Sequence, residues 1–193
     1  MSDSEREGEG TGDEAVVLDF LPRGRTADDR PQYKKEPLAY VLDVETFQLS
    51  ELAVDGDAGV AIGDRIEVEG NPDVDRVRRT GYEDLPGGAQ SELEYAVADL
   101  VETEEERFAD FYNDAQPITL RLHQLDLLPG VGKKIRNGVL DERKRRPFDG
   151  FDDIETRVDG LHNPQDVLVE RILEELREED LKYRIFARRE EAE

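Results

Sequence analysis

A chain of 193 residues with 49 acidic and 26 basic side chains, a net charge of −23 and 36% hydrophobic residues can bury one ordinary core or two small ones beneath a carboxylate-rich surface. It has no cysteine, which excludes disulfides and thiolate metal sites, and no apolar run nears the ~20 residues that span a bilayer. Residues 1–14 are acidic and glycine-rich, without the basic start and apolar stretch of a secretory signal, so a cytoplasmic protein with no membrane partner is expected.

Arginine far outnumbers lysine, and apolar periodicity runs from Ala15 to Ala187, so the acid is expected to decorate a folded surface. Such a surface resembles those of proteins from salt-loving microbes, where hydrated carboxylates keep the molecule solvated. The same excess makes any pair of Asp or Glu side chains weak evidence for catalysis. A local excess of positive charge is the informative departure.

The expected class is α+β: a small antiparallel OB-like barrel, then an all-α region and a final short strand. Residues 1–14 offer almost nothing to bury and read as a disordered tail. Residues 15–88 read as the β domain. Ala15–Leu21 and Pro37–Val44 are apolar runs, Phe47 and Leu49 alternate with polar neighbours, and Asp64–Gly70 places Ile66 and Val68 on one face. The segment Leu21–Glu36 has no period and is expected to be a long loop. Residues 89–116 read as connecting helices, with Ser91/Glu94 and Thr103/Glu106 as capping boxes. Leu93, Val97, Leu100, Val101, Phe108, Phe111 and Tyr112 form their packing stripes.

Residues 117–180 carry the functional signal. Pro117 is expected to open a helix with Ile118, Leu122 and Leu125 on one face. Leu127-Leu128-Pro129-Gly130-Val131-Gly132-Lys133-Lys134-Ile135 follows, leading into a helix that Pro147 stops. Gly130 and Gly132 permit unusual backbone and a close approach by a ligand, while Val131 tucks into the core. The unpaired amides of a helix beginning after Gly132 suit a phosphate, and Lys133 and Lys134 add full charges. This stretch resembles the helix-hairpin-helix family, whose hairpins clamp sugar-phosphate backbone without reading bases; Arg136 stands where that family often has a small residue. No cofactor is expected, although hairpins of this family can hold a monovalent cation at their carbonyls, and that option stays open.

Between Arg121 and Pro147 eight basic residues (Arg121, Lys133, Lys134, Arg136, Arg143, Lys144, Arg145 and Arg146) face three acidic ones. A positive island in so acidic a chain points to a polyanionic partner. A second, degenerate hairpin is expected from Ile154–Val158, a turn at Asp159-Gly160-Leu161, and Pro164–Glu178, with Gly160 the surviving glycine and Arg157 and Arg171 placed either to reach phosphates or to pair with nearby Glu. Residues 181–193 read as a terminal strand and tail. His123 and His162 read as helix-surface residues.

Val17-Leu18-Asp19-Phe20-Leu21-Pro22, Phe108-Ala109-Asp110-Phe111-Tyr112-Asn113, Pro117-Ile118-Thr119-Leu120-Arg121-Leu122-His123-Gln124-Leu125 and Tyr183–Phe186 resemble, in order and content, an archaeal family, domain of unknown function 655 (DUF655). The resemblance implies an OB-type barrel followed by helix-hairpin-helix, RNA binding rather than DNA binding, and a setting among translation and rRNA-modification genes. The expected function is therefore non-catalytic nucleic-acid binding, with RNA as the favoured partner. Two alternatives stand beside it. One is a protein-interaction scaffold whose acidic barrel meets a ribosomal or translation protein. The other is a helix-hairpin-helix glycosylase or lyase with Lys134 as nucleophile and Asp152 as catalytic acid.

Overall fold

The computed structural model describes residues 14–187. The chain divides inside its first helix into two compact units, one ending at Glu92 and one beginning at Leu93. The expected tail falls on residues outside the described range, except Glu14, which is in a strand and pairs with Glu67.

The first unit is built on β1 (Glu14–Leu21), β2 (Leu38–Asp43), β3 (Leu49–Val54), β4 (Arg65–Glu67) and β5 (Val74–Arg79). They form one antiparallel sheet in the order β4-β1-β2-β3-β5. Side chains two apart share a face of a strand, and the alternation gathers Ala15, Val17, Ala39, Val41, Leu52 and Val54 into one buried cluster. Phe20, Ile66, Val68 and Val74 pack partly buried against it. A register shift between Val17 and Asp19 bends β1. The sheet curls into a half-barrel rather than the expected closed barrel. Closure would need a ladder between β4 and β5, and β4 is only three residues long while five of the six residues of β5 are exposed. β5 has no counterpart in the sequence expectations: Val-Asp-Arg-Val-Arg-Arg carries little alternation, as suits an edge strand. The loop expected at Leu21–Glu36 is found, with a single 3-10 turn at Gln32–Lys34.

The second unit comprises the rest of α1 (Gly87–Thr103) with α2 (Glu105–Asp114), α3 (Lys133–Arg145), α4 (Phe151–Arg157) and α5 (Pro164–Arg177). Leu93, Leu100, Phe108, Tyr112, Leu125, Val139, Ile154, Leu168 and Ile172 are buried in it. Neither capping box forms. α1 begins at Gly87, so Ser91 lies inside it, and the Thr103 hydroxyl donates back to the Asp99 carbonyl at 2.8 Å.

Two larger expectations fail. Pro117–Leu125 is not a helix: Pro117 bridges His123, the amides of Ile118 and Thr119 both donate to the Leu122 carbonyl, and a 3-10 turn covers Gln124–Leu127. The Thr119 hydroxyl accepts from the amides of Arg121 and Leu122, offering the backbone a local turn in place of helical bonds. Nor is there a strand among described residues after α5. The amides of Ile185, Phe186 and Ala187 instead donate to the buried carboxylate of Glu175 at 2.7–2.9 Å. Arg171 donates to the same carboxylate at 2.9 Å.

Candidate nucleic-acid interface

The approach to α3 is built on the 3-10 turn Gln124–Leu127, which His123 fastens. Its Nδ1 accepts from the Leu125 amide at 3.1 Å, and its own amide donates to Asp126 Oδ2 at 2.8 Å. This reciprocal cap buries the imidazole to 7% exposure. Burial lowers its pKa, the charges of Arg143 and Arg136 lower it further, and Asp126 opposes them. His123 is thus a neutral structural cap, not a helix-surface residue. Asp126 also accepts both of its oxygens' contacts from Arg136 Nη1, at 3.0 and 3.1 Å, tying the turn to α3.

Beyond the turn, the Val131 amide donates to the Leu128 carbonyl and Val131 is buried as expected. The two glycines differ. Gly130 has φ +73°, which disfavours any residue with a Cβ. Gly132 has φ −90° and ψ −176°, which any residue adopts, and a Cβ there would meet no protein atom within 4 Å. Its smallness is required by neither backbone nor packing.

α3 starts at Lys133 with no side-chain cap, and its first helical bond runs from Arg136 to the Gly132 carbonyl. Among the described residues no acceptor meets the amides of Gly132, Lys133, Lys134 or Ile135. By contrast, the Phe151 amide that opens α4 donates to Glu105 at 2.8 Å. Lys133 and Lys134 are exposed, and no ion pair among the described residues engages them, Lys144 or Arg121.

The other cations of the positive island have partners within the protein, half-buried for Arg143 and exposed for Arg145 and Arg146. Arg143 donates to the carbonyls of Tyr112 and Ala115 at 3.1 and 2.9 Å, closing the C-terminal end of α2. Arg145 pairs with Glu142 and Arg146 with Asp153 at the rear of α3. Arg157 donates to the carbonyls of Glu142 and Arg146 at 2.7 and 2.8 Å and to Asp153, and lies over the Phe148 ring at 4.6 Å. Instead of reaching a phosphate, it caps the C-terminal end of α3. Arg171 is 5% exposed and bound to Glu174, Glu175 and the Tyr183 carbonyl, so burial withdraws it from any ligand.

α4 and α5 are joined by a turn with Gly160 at φ +84°, and Pro164 opens α5. Gly160 lies against Ile135, and Gly138 against Val158, where an added Cβ would sit 3.4 Å from a methyl group. The small residue that lets α3 approach the next helix pair is therefore Gly138, which sequence reasoning passed over. The nominated enzyme pair lies apart in the chain: Lys134 in the first turn of α3 and Asp152, exposed, in the first turn of α4.

Residues 11–188 match the family described as "Protein of unknown function (DUF655)". The chain belongs to the DUF655 family. It is 37% identical over 178 residues to the uncharacterized protein MJ0038 of Methanocaldococcus jannaschii, an alignment covering 90% of this chain and 79% of that protein. The crystal structure of Af1531 from Archaeoglobus fulgidus, also DUF655, superposes with a TM-score of 0.82 at 39% identity, covering 91% of this chain and 99% of that one. The likeness to this DUF655 structure extends across both units.

Proposed function

We propose that this DUF655 protein is a non-catalytic RNA-binding protein that holds the phosphate backbone at the N-terminus of α3. The observation that carries this reading is the uncapped first turn of α3, with unpaired Lys133 and Lys134 beside it and a glycine, Gly132, that neither backbone nor packing requires. Amide donors and a positive helix end suit an anion. The two-glycine turn resembles a helix-hairpin-helix whose first arm is shortened to a 3-10 turn, and Gly160 marks the second hairpin. Lys144 and Arg121 remain as outlying contacts. RNA rather than DNA follows the expectation attached to the family.

The test is Gly132→Val combined with Lys133→Glu and Lys134→Glu. Valine fits the extended Gly132 backbone, so stability should fall by about 1 kcal/mol or less. Affinity for a single-stranded RNA should fall at least about ten-fold, or ~1.4 kcal/mol. Unchanged affinity by fluorescence anisotropy refutes the proposal. Abasic-site cleavage that disappears in Lys134→Ala would make the protein a lyase instead.

A further inference from the structure

A second site is built on the sheet of the first unit. Register places Tyr40, Glu51 and Arg78 side by side across β2, β3 and β5. Glu51 is 7% exposed and holds this row together. The Tyr40 hydroxyl donates to Glu51 at 2.8 Å, Arg25 from the long loop donates through Nε at 3.0 Å and also through Nη2, and Arg78 Nε lies 3.5 Å from its other oxygen. Burial works against the charge on Glu51, but the bonds from Arg25 and Tyr40 and the fields of Arg25 and Arg78 outweigh it, so the carboxylate ionises below its ordinary range.

Above this row opens a cleft of about 350 Å³, bordered by Arg25, Arg30, Arg76 and Arg78. Arg76 is two residues from Arg78 and shares its face of β5. Arg30 and Arg76 are held at the rim by Asp28 and Glu36 in exposed pairs. Exposed pairs of this kind are weak and readily exchanged for a better anion. Arg25 and Arg78 are instead aimed by a carboxylate that cannot leave. A guanidinium has five donors, and one carboxylate does not exhaust two of them. Four arginines against three carboxylates, Asp28, Glu36 and Glu51, leave the cleft slightly positive in a chain of net charge −23. A carboxylate ligand would offer two oxygens, much as Glu51 already does. A phosphate monoester offers three and a second negative charge, and the volume leaves room for a sugar or base behind it.

We propose that this cleft binds a phosphate monoester, on a free nucleotide or at the 5′ end of an RNA, with Arg76 and Arg78 as ligands and Glu51 as the residue that positions Arg25 and Arg78. The test uses the full chain at low ionic strength with two matched pairs of probes: adenosine monophosphate against adenosine, and a 5′-phosphorylated RNA hexamer against its 5′-hydroxyl form. Because Arg25 satisfies a buried acid and its loss could unfold the sheet, the working variant is Arg76→Gln with Arg78→Gln, both on the exposed strand. Saturable binding of adenosine monophosphate but not adenosine, lost in the double variant, assigns the free nucleotide. A ten-fold preference for the phosphorylated hexamer without adenosine monophosphate binding, likewise lost, assigns the RNA end. Equal binding within both pairs, or a preference that survives in the double variant, overturns the proposal. The α3 triple variant should leave the phosphate preference intact, so failure at one site is distinguishable from failure at the other.

Discussion

At the scale of single residues, His123 has the sharpest consequence. Its folded pKa lies below the ordinary 6.5, because burial and the charges of Arg143 and Arg136 disfavour the imidazolium. The unfolded chain therefore takes up the proton first. Stability is full above about pH 6.5 and declines as pH falls through the interval down to the folded pKa. The carboxylates with lowered values, Glu51, Asp28 and Asp153, titrate below their ordinary 4.5 and 3.8 and do not contribute in the upper part of that interval. His123→Ser, which can still cap without titrating, should flatten the slope between pH 6.5 and 5 in denaturant titrations; an identical slope in the variant would count against a buried neutral cap. His123 was partly legible, since His-x-x-Asp126 has the spacing of a capping box. What the sequence does not carry is that the imidazole is enclosed. Arg171 reads in the sequence as a phosphate contact or as the partner of a nearby Glu, and the structure selects Glu174 and Glu175. The burial of Arg171 and Glu175 depends on residues 183–187 folding back onto them.

At the scale of elements, the end of the second unit depends on Glu175. One carboxylate accepts three amides and the Arg171 guanidinium. Glu175→Ala would strand a buried cation and three donors, and the expected loss is about 3–5 kcal/mol. Melting in urea measures it; a loss under 1 kcal/mol would mean that the segment after α5 is held by other contacts. α3 and α5 were legible to within a residue or two because apolar periodicity, Pro164 and Pro147 mark them. β1 and β2 were legible as apolar runs and β4 from alternation. The elements that misled were those in which a side chain supplies what a ladder or helix normally supplies: the Thr119 hydroxyl in Pro117–His123, and the Glu175 carboxylate where a last strand was expected. β5 was missed because its register is set by β3 rather than by its own pattern.

At the scale of the molecule, the candidate RNA site rests on few charges. Half of the positive island is engaged within the protein, leaving Lys133 and Lys134 beside the α3 amides and Lys144 and Arg121 as outlying charges. For single-stranded RNA the logarithm of affinity falls by about 0.7 for each neutralised phosphate per decade of salt. On a 5′-hydroxyl RNA the two contacts of Lys133 and Lys134 contribute a slope near −1.4, and the α3 triple variant should be shallower by about that amount. A wild-type slope steeper than about −3 would show that other surfaces contribute most of the phosphate contacts. Family membership was legible from the order of segments across both units, whereas the division of arginines between structure and surface was not, because it depends on which carbonyls lie within reach.

The way α3 is fastened has a mechanical corollary. Arg157 and Arg143 clamp its rear, Gly138 seats its middle, and Arg136 braces its first turn against Asp126. The helix is braced along its length, and its front end presents the exposed Lys133 and Lys134 to solvent. A polyanion at the proposed site would meet donors already set, so little ordering entropy would oppose its capture.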